Sequence, residues 1–473
     1  MAAPMEGGAG FDLVVIGAGP GGYTGAIRAA QLGMKTAIVE KDPDLGGTCL
    51  LRGCIPTKVL LQSASLYHSL RHAEDFGLKA GDVQVDFPAI QKRKAGIVER
   101  LAKGVAFLMK KNQIQVFEGT GKIDGLGRVS VTSRSGKSQV LEAKNILLAA
   151  GSEAKGLPGI EPDGTRILTS DHALELGAVP RSLIILGAGA VGVEFASIFS
   201  GFGARVTLVE LLPRAVPTED EDVSKELERC FRKRGIGVRT GAEVRKAAVG
   251  PEGVEVTCAM GGSGKTETLT AEVLLLGVGR RPKSDSLGLE KTRVVVEKGY
   301  VKTDTSYRTA EPGVWAVGDL VGRAPLAHVA SHEAVAAVET MAGEKPHPLN
   351  YDQVPWCTYC DPEVARVGLT ESQARERGFE VKTGKFPFTA SGRALILGEN
   401  EGFVKVVTDE KYGEVLGVHI IGPRATELIA EGTALLHLES TTEEILATIH
   451  AHPSLSEALG EAALDVLGRS LNR

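Results

Sequence analysis

At 473 residues the chain is long enough for about three domains, each with a core of its own. A net charge of -5, with both signs scattered, gives no basic stripe to attract a nucleic-acid backbone, and no apolar stretch reaches the roughly 18 residues of a membrane span. Glycine supplies 59 of the 473 residues but falls between apolar runs, the pattern of tight turns in a packed α/β protein. Met1 to Gly10 hold no Lys or Arg and no apolar core of signal-peptide length, which argues against export or a transit peptide and for a cytoplasmic location. In a reducing cytoplasm six cysteines are not expected as structural staples, so a close pair is read first as redox or metal chemistry.

From Phe11 to Glu40, FDLVVIGAGPGGYTGAIRAAQLGMKTAIVE reads as strand, Gly-rich turn, Ala-rich helix and a second strand ending in an acid, the βαβ pattern of a dinucleotide site. Gly17 permits the tight turn, Gly19 lets the backbone approach a pyrophosphate, and Gly22 lets the helix pack on the strand. The helix N-terminus would face the phosphates, and Glu40 would accept hydrogen bonds from a ribose 2′-hydroxyl.

Next comes GGTCLLRGCIPTK, with Cys49 and Cys54. A straight helix would turn these side chains about 140° apart and raise them about 7.5 Å, too far for a disulfide, so the segment must bend if they are to bond. Gly46, Gly47 and Gly53 supply the freedom, and Pro56 limits how far a regular helix extends upstream. Two buried small hydrophobes are the alternative reading of the pair. His68 and His72 share a helix face but lack the glutamate of an H-E-x-x-H zinc site.

The βαβ pattern recurs in SLIILGAGAVGVEFASIFSGFGARVTLVE, with Gly187, Gly189, Gly192 and the strand-end acid Glu210. In both copies the acid lies 23 positions after the first glycine, so two dinucleotide sites are expected. A carboxylate would repel the 2′-phosphate of NADP, so Glu210 favours NAD, although Arg214 stands four residues on. Glu219 to Asp222 reads as an acidic helix start. GGSGKT at Gly261 to Thr266 lacks the first glycine of a P-loop, since residue 259 is Ala, and reads as a hairpin turn. Cys357 and Cys360 have no further zinc ligands nearby and read as buried spectators. IHAHPSLSEALGEA then places His452 near Glu457, an imidazole and carboxylate suited to deprotonating a thiol at neutral pH.

The run from Gly17 through Lys58 resembles the flavoprotein disulfide reductases, and the resemblance covers nearly the whole chain. It implies that Cys49 and Cys54 form a redox disulfide against an FAD ring, with Lys41, Gly47 and Thr48 joining the FAD set and Lys58 pairing with Glu194 beside the flavin. Ala150, Gly151 and Ser152 match an AxGS-type return from the FAD domain, and Gly279 to Pro282 a strand leaving the NAD domain. Asp319 would bind the ribityl chain, the Leu326, Ala327 and His328 backbone would face the flavin, and Gly121 and Val244 would touch the two adenines. In that family the His-Pro motif completes the partner subunit's active site, which implies a homodimer. The wording HAHPSLSE is closer to the dihydrolipoyl dehydrogenases than to the glutathione reductases, and Leu51 and Arg52 replace the more usual Asn-Val. Arg52 is expected to lower the Cys54 thiolate pKa.

The expected architecture is α/β: two Rossmann-like dinucleotide-binding domains and a C-terminal α+β dimerisation domain. The FAD domain would span 1–150 and 284–350, the NAD domain 151–283 and the interface domain 351–473. The expected activity is oxidation of dihydrolipoamide on a lipoylated carrier protein, of a 2-oxoacid dehydrogenase complex or the glycine cleavage system, with no nucleic acid, membrane or metal involved. No lipoyl domain precedes Phe11, so the carrier would be another protein. Reduction of another disulfide or a quinone, or a flavin-bearing scaffold role, are the alternatives.

Overall fold

A computed structural model describes residues 10–261 and 264–472. Residues 1–9 of the stretch Met1 to Gly10, and residues 262 and 263 of the expected hairpin turn, lie outside the described residues. Among those described, no helix is long and apolar enough to cross a membrane. The chain divides into two compact units.

The first unit comprises, among the described residues, 10–56, Lys92–Ala154 and Arg280–Tyr351. Its sheet runs in the order Gln115–Glu118, Thr36–Glu40, Phe11–Ile16, Ser138–Leu148, with Val314–Ala316 also on the last strand, all parallel. Parallel strands are covered on both faces, which is why TAIVE of Thr36–Glu40 is buried throughout. The strand Ser138–Leu148 is long enough to pair antiparallel at its start with Arg128–Thr132, which in turn pairs with Thr120–Ile123. One core packs the helix Pro20–Gln31 and part of Phe87–Lys111 on one face of the parallel sheet; a second lies on the other face under Val129, Val131 and Leu141.

The second unit comprises residues 57–91, 155–279 and 352–473. Its parallel sheet has the order Gly237–Arg239, Arg205–Val209, Ser182–Leu186, Val273–Leu276, Ile167–Leu168. A three-stranded antiparallel sheet over Ala242–Ala271 adjoins it through a shared core of Ile184, Leu274 and Val256. The C-terminal part is a five-stranded antiparallel sheet, Trp356–Thr358, Glu363–Gly368, Val415–Gly422, Phe403–Asp409 and Val381–Pro387, packed against the helices Ala425–His437 and Glu457–Val466. Phe231 and Leu227 of the helix Glu221–Lys233 and Val364, Phe403 and Ile421 of the C-terminal sheet belong to one continuous cluster. The acidic start is present as the helix Glu221–Lys233, whose N-cap Asp220 accepts from the Asp222 N–H at 3.1 Å. Asp220 and Asp222 also hold the buried Lys405 ammonium at 2.9 and 3.0 Å, with Glu371 at 2.9 Å.

Candidate active site

Both glycine turns have the same construction. Gly17 has φ +101°, and a Cβ there would lie 2.5 Å from the Ala149 carbonyl oxygen; at Gly187, with φ +97°, it would lie 2.4 Å from that of Gly277. A Cβ on Gly22 would fall 1.8 Å from the Gly17 oxygen, and one on Gly192 1.9 Å from the Gly187 oxygen, so helix and strand meet only because both residues are glycine. The middle glycines differ: Gly19 would meet nothing nearer than 3.9 Å and Gly189 nothing within 4 Å. They head the helices Pro20–Gln31 and Ala190–Gly201, neither of which has a side-chain N-cap. Open space over uncapped N–H groups fits a dinucleotide pyrophosphate at each turn.

The two acids are equally alike. Glu40 accepts from the Ala18 N–H at 2.7 Å and the Asp42 N–H at 2.9 Å. Glu210 accepts from the Ala188 N–H at 2.7 Å and the Leu212 N–H at 2.8 Å. Each carboxylate oxygen keeps a further lone pair for a ribose hydroxyl. Arg214 donates to the carbonyls of Pro217 and Glu219 at 3.1 and 3.4 Å, within its own loop. Gly121 sits against Val39, where a Cβ would come within 3.0 Å, while Val244 is half-buried on the strand Ala242–Gly250.

The cysteine segment bends at Gly53, between the helices Gly47–Arg52 and Cys54–Arg71. A Cβ on Gly53 would lie 2.8 Å from the Thr48 oxygen and 3.3 Å from the Cys49 Cα, so the chain folds back onto the residue that bears the first thiol. Both cysteines are half-buried. Burial, and then charge at Cys49 and Cys54, pushes the Tyr23 phenol up, so both sulfurs lie within electrostatic reach of one ring. Gly47, with φ +60°, approaches the first glycine turn so closely that its Cβ would be 2.5 Å from the Gly19 Cα. Thr48 Oγ1 donates to the Ser152 carbonyl at 3.5 Å. Among the four other cysteines, burial pushes Cys230 and Cys357 up to about 12 and raises Cys258 and Cys360, so they stay protonated.

Ser152, Arg280 and Asp319 meet in the first unit. Ser152 Oγ donates to Asp319, while Arg280 donates to Ser152 Oγ at 2.7 Å and to its carbonyl at 2.9 Å. Gly279 and Gly151 have φ +109° and +68°, and the Gly151 carbonyl accepts from the Lys283 N–H at 3.0 Å. Ala150 is half-buried, and the exposed Lys41 accepts at its carbonyl from Arg134 at 3.1 Å. Before Asp319, Gly318 donates its N–H to Glu333 at 2.6 Å, and the other Glu333 oxygen accepts from Tyr351 Oη at 2.6 Å. Leu326 is the extended N-cap of the helix Ala327–Met341 that carries His328 and Glu333.

Arg280, Glu333, Tyr351 and Tyr23 were not singled out from the sequence as site residues. Glu333 had a visible signal, an acid among the alanines and valines of a helix; Tyr351 and Tyr23 had none.

In the second unit Lys58 donates to both Glu194 oxygens, at 2.8 and 2.9 Å, and its ammonium lies 4.5 Å from the Tyr359 ring centroid. The Tyr359 N–H fixes Glu194 from another side at 2.9 Å. His452 Nδ1 meets Glu457 Oε1 at 2.9 Å, and Glu457 Oε2 accepts from the Ser454 N–H at 2.7 Å. Burial pushes the Glu457 carboxyl up, but Ser454 and His452 together outweigh it and hold it below the ordinary range. The His452 side chain is 81% exposed, so a carboxylate-oriented imidazole offers its second nitrogen to solvent. His450 is the half-buried counterpart, bound to Glu431 at 2.7 Å.

Residues 11–334 match the model of the pyridine nucleotide-disulphide oxidoreductases, and residues 354–463 match their dimerisation domain. A dihydrolipoyl dehydrogenase from Bacillus subtilis is 45% identical over 470 residues, covering 98% of this chain and 99% of the relative. One from Chlorobaculum tepidum is 45% identical over 457 residues, 97% of each chain. Among solved structures, LpdA from Mycobacterium tuberculosis superposes with a TM-score of 0.88 at 30% identity, covering 95% of this chain and 98% of that one. The HOCl-induced flavoprotein disulfide reductase RclA from Escherichia coli gives 0.84 at 27% identity, covering 96% and 99%.

Proposed function

The chain belongs to the pyridine nucleotide-disulphide oxidoreductase family, and on that premise we propose that it oxidises dihydrolipoamide to lipoamide with FAD and NAD+ as cofactors. The observation that carries the reading is full-length similarity to relatives named for this activity. When bound, FAD and NAD+ supply reversible hydride transfer. The first glycine turn with Glu40, Ser152 and Asp319 would hold FAD; the second, with Glu210, would hold NAD+, a carboxylate there disfavouring the phosphate of NADP+.

In the proposed reaction Glu457 orients His452, and His452 takes a proton from a substrate thiol. The thiolate attacks Cys49 in the Cys49–Cys54 disulfide, and Cys54 leaves as thiolate. The second substrate thiol displaces Cys49, its proton passing to the departing Cys49 sulfur, which closes the lipoamide ring and leaves two electrons on the cysteine pair. Lys58, held by Glu194, would place positive charge where the flavin gains electrons.

The dimerisation domain makes the protein a homodimer, and we assign His452 to the partner subunit's reaction centre. Residues 1–150 with 284–350, 151–283 and 351–473 are proposed as the FAD, NAD and interface domains, a lipoylated carrier protein as the substrate, and the cytoplasm as the location. Steady-state assays with dihydrolipoamide and NAD+ or NADP+, beside glutathione disulfide and menadione with NADH, test the reading. Dihydrolipoamide with NAD+ should be the preferred pair, and Cys49→Ser and Cys54→Ser should each abolish its turnover. Full turnover in either variant would sink the mechanism.

A further inference from the structure

Arg52 stands between the two cysteines, in the last turn of Gly47–Arg52, and its guanidinium is ion-paired with Asp42. The two side chains are only 31% and 22% exposed. Asp42 in turn donates its N–H to Glu40 at 2.9 Å, and Glu40 accepts from Ala18 of the glycine turn at 2.7 Å. A continuous polar path therefore joins the glycine turn, the strand-end acid and the cysteine turn. Lys283 lies within electrostatic reach of both members of the pair; burial, and then the Lys41 ammonium, pushes Lys283 down.

We propose that Arg52 is a positioning residue for FAD: through Asp42 it fastens the cysteine turn to the acid that faces the adenosine ribose, and its effect on the thiols is indirect. The inference rests on the first turn holding FAD, which the flavin content of the purified wild-type protein tests separately.

The experiment compares holoenzymes of wild type, Arg52→Val, Asp42→Val, the double variant and Arg52→Lys, measuring FAD dissociation and the pH midpoint of thiolate-to-flavin absorption. A half-buried ion pair is worth about fivefold in an equilibrium, so each single valine variant should lose FAD about fivefold more readily. The double variant should be no worse than either, because the two residues act as one unit. Arg52→Lys should restore part of the affinity, and the thiolate midpoint should stay put throughout. Wild-type FAD affinity in Arg52→Val, multiplied losses in the double variant, or a midpoint that moves in Arg52→Val but not in Asp42→Val would each overturn the proposal, the last by showing direct tuning of the thiol.

Discussion

Glu333, with 1% of its surface exposed, accepts from both the Gly318 N–H and the Tyr351 hydroxyl. Removing the acceptor leaves the buried Gly318 N–H unsatisfied, at about 1–3 kcal/mol, and takes from the half-buried Tyr351 hydroxyl its shortest hydrogen bond. Glu333→Leu should therefore lose more denaturant stability than Glu333→Gln, whose amide oxygen still serves one donor, and it should release FAD more readily because Gly318 precedes Asp319. Equal stability of the two variants in urea unfolding would count against this role. His419 gives a pH signature: burial pushes it down to about 4 from an ordinary 6.5, so the folded state resists a proton that the unfolded chain accepts. Its stabilising contribution is complete above pH 6.5 and is lost as pH falls toward 4, by about 3 kcal/mol at most. Unfolding free energies across that window should be flatter in His419→Gln.

At the scale of elements, the two kinds of glycine in one turn make opposite predictions. Gly192→Ala must push the helix off its strand, since the added Cβ falls 1.9 Å from a carbonyl oxygen, so the thermal midpoint should drop. Gly189→Ala meets no protein atom within 4 Å, so stability should hold while the KM for NAD+ rises. A destabilised Gly189→Ala with unchanged KM would remove the pyrophosphate from that turn. These turns could be read from sequence because strand, glycine spacing and acid are all local and written twice. The bend at the cysteines was legible as a need for one, met at Gly53. The Glu333 network was not, because it joins Gly318, Glu333 and Tyr351 through hydrogen bonds that follow no helical or strand period. Lys405 with Asp220, Asp222 and Glu371 was hidden for the same reason, its partners lying up to 185 positions away.

At the scale of the whole molecule, the proposed exchange of His452 between subunits has a direct test. Cys49→Ser and His452→Gln homodimers should each be inactive or nearly so. Mixed and allowed to exchange subunits, they would form heterodimers with one site carrying both defects and one carrying neither. Random equal mixing should restore roughly a quarter of wild-type activity, and no recovery despite proven exchange would place His452 in its own subunit's site.

The twin carboxylates have a consequence for anyone wishing to redesign coenzyme choice. Glu210 fastens its own turn through two backbone donors before any ribose arrives. Grafting an arginine there to welcome a 2′-phosphate would loosen the Ala188 and Leu212 amides in the same stroke. Converting the coenzyme thus requires a replacement acceptor elsewhere in the loop, so a single substitution should impair NAD+ use without conferring NADP+ use.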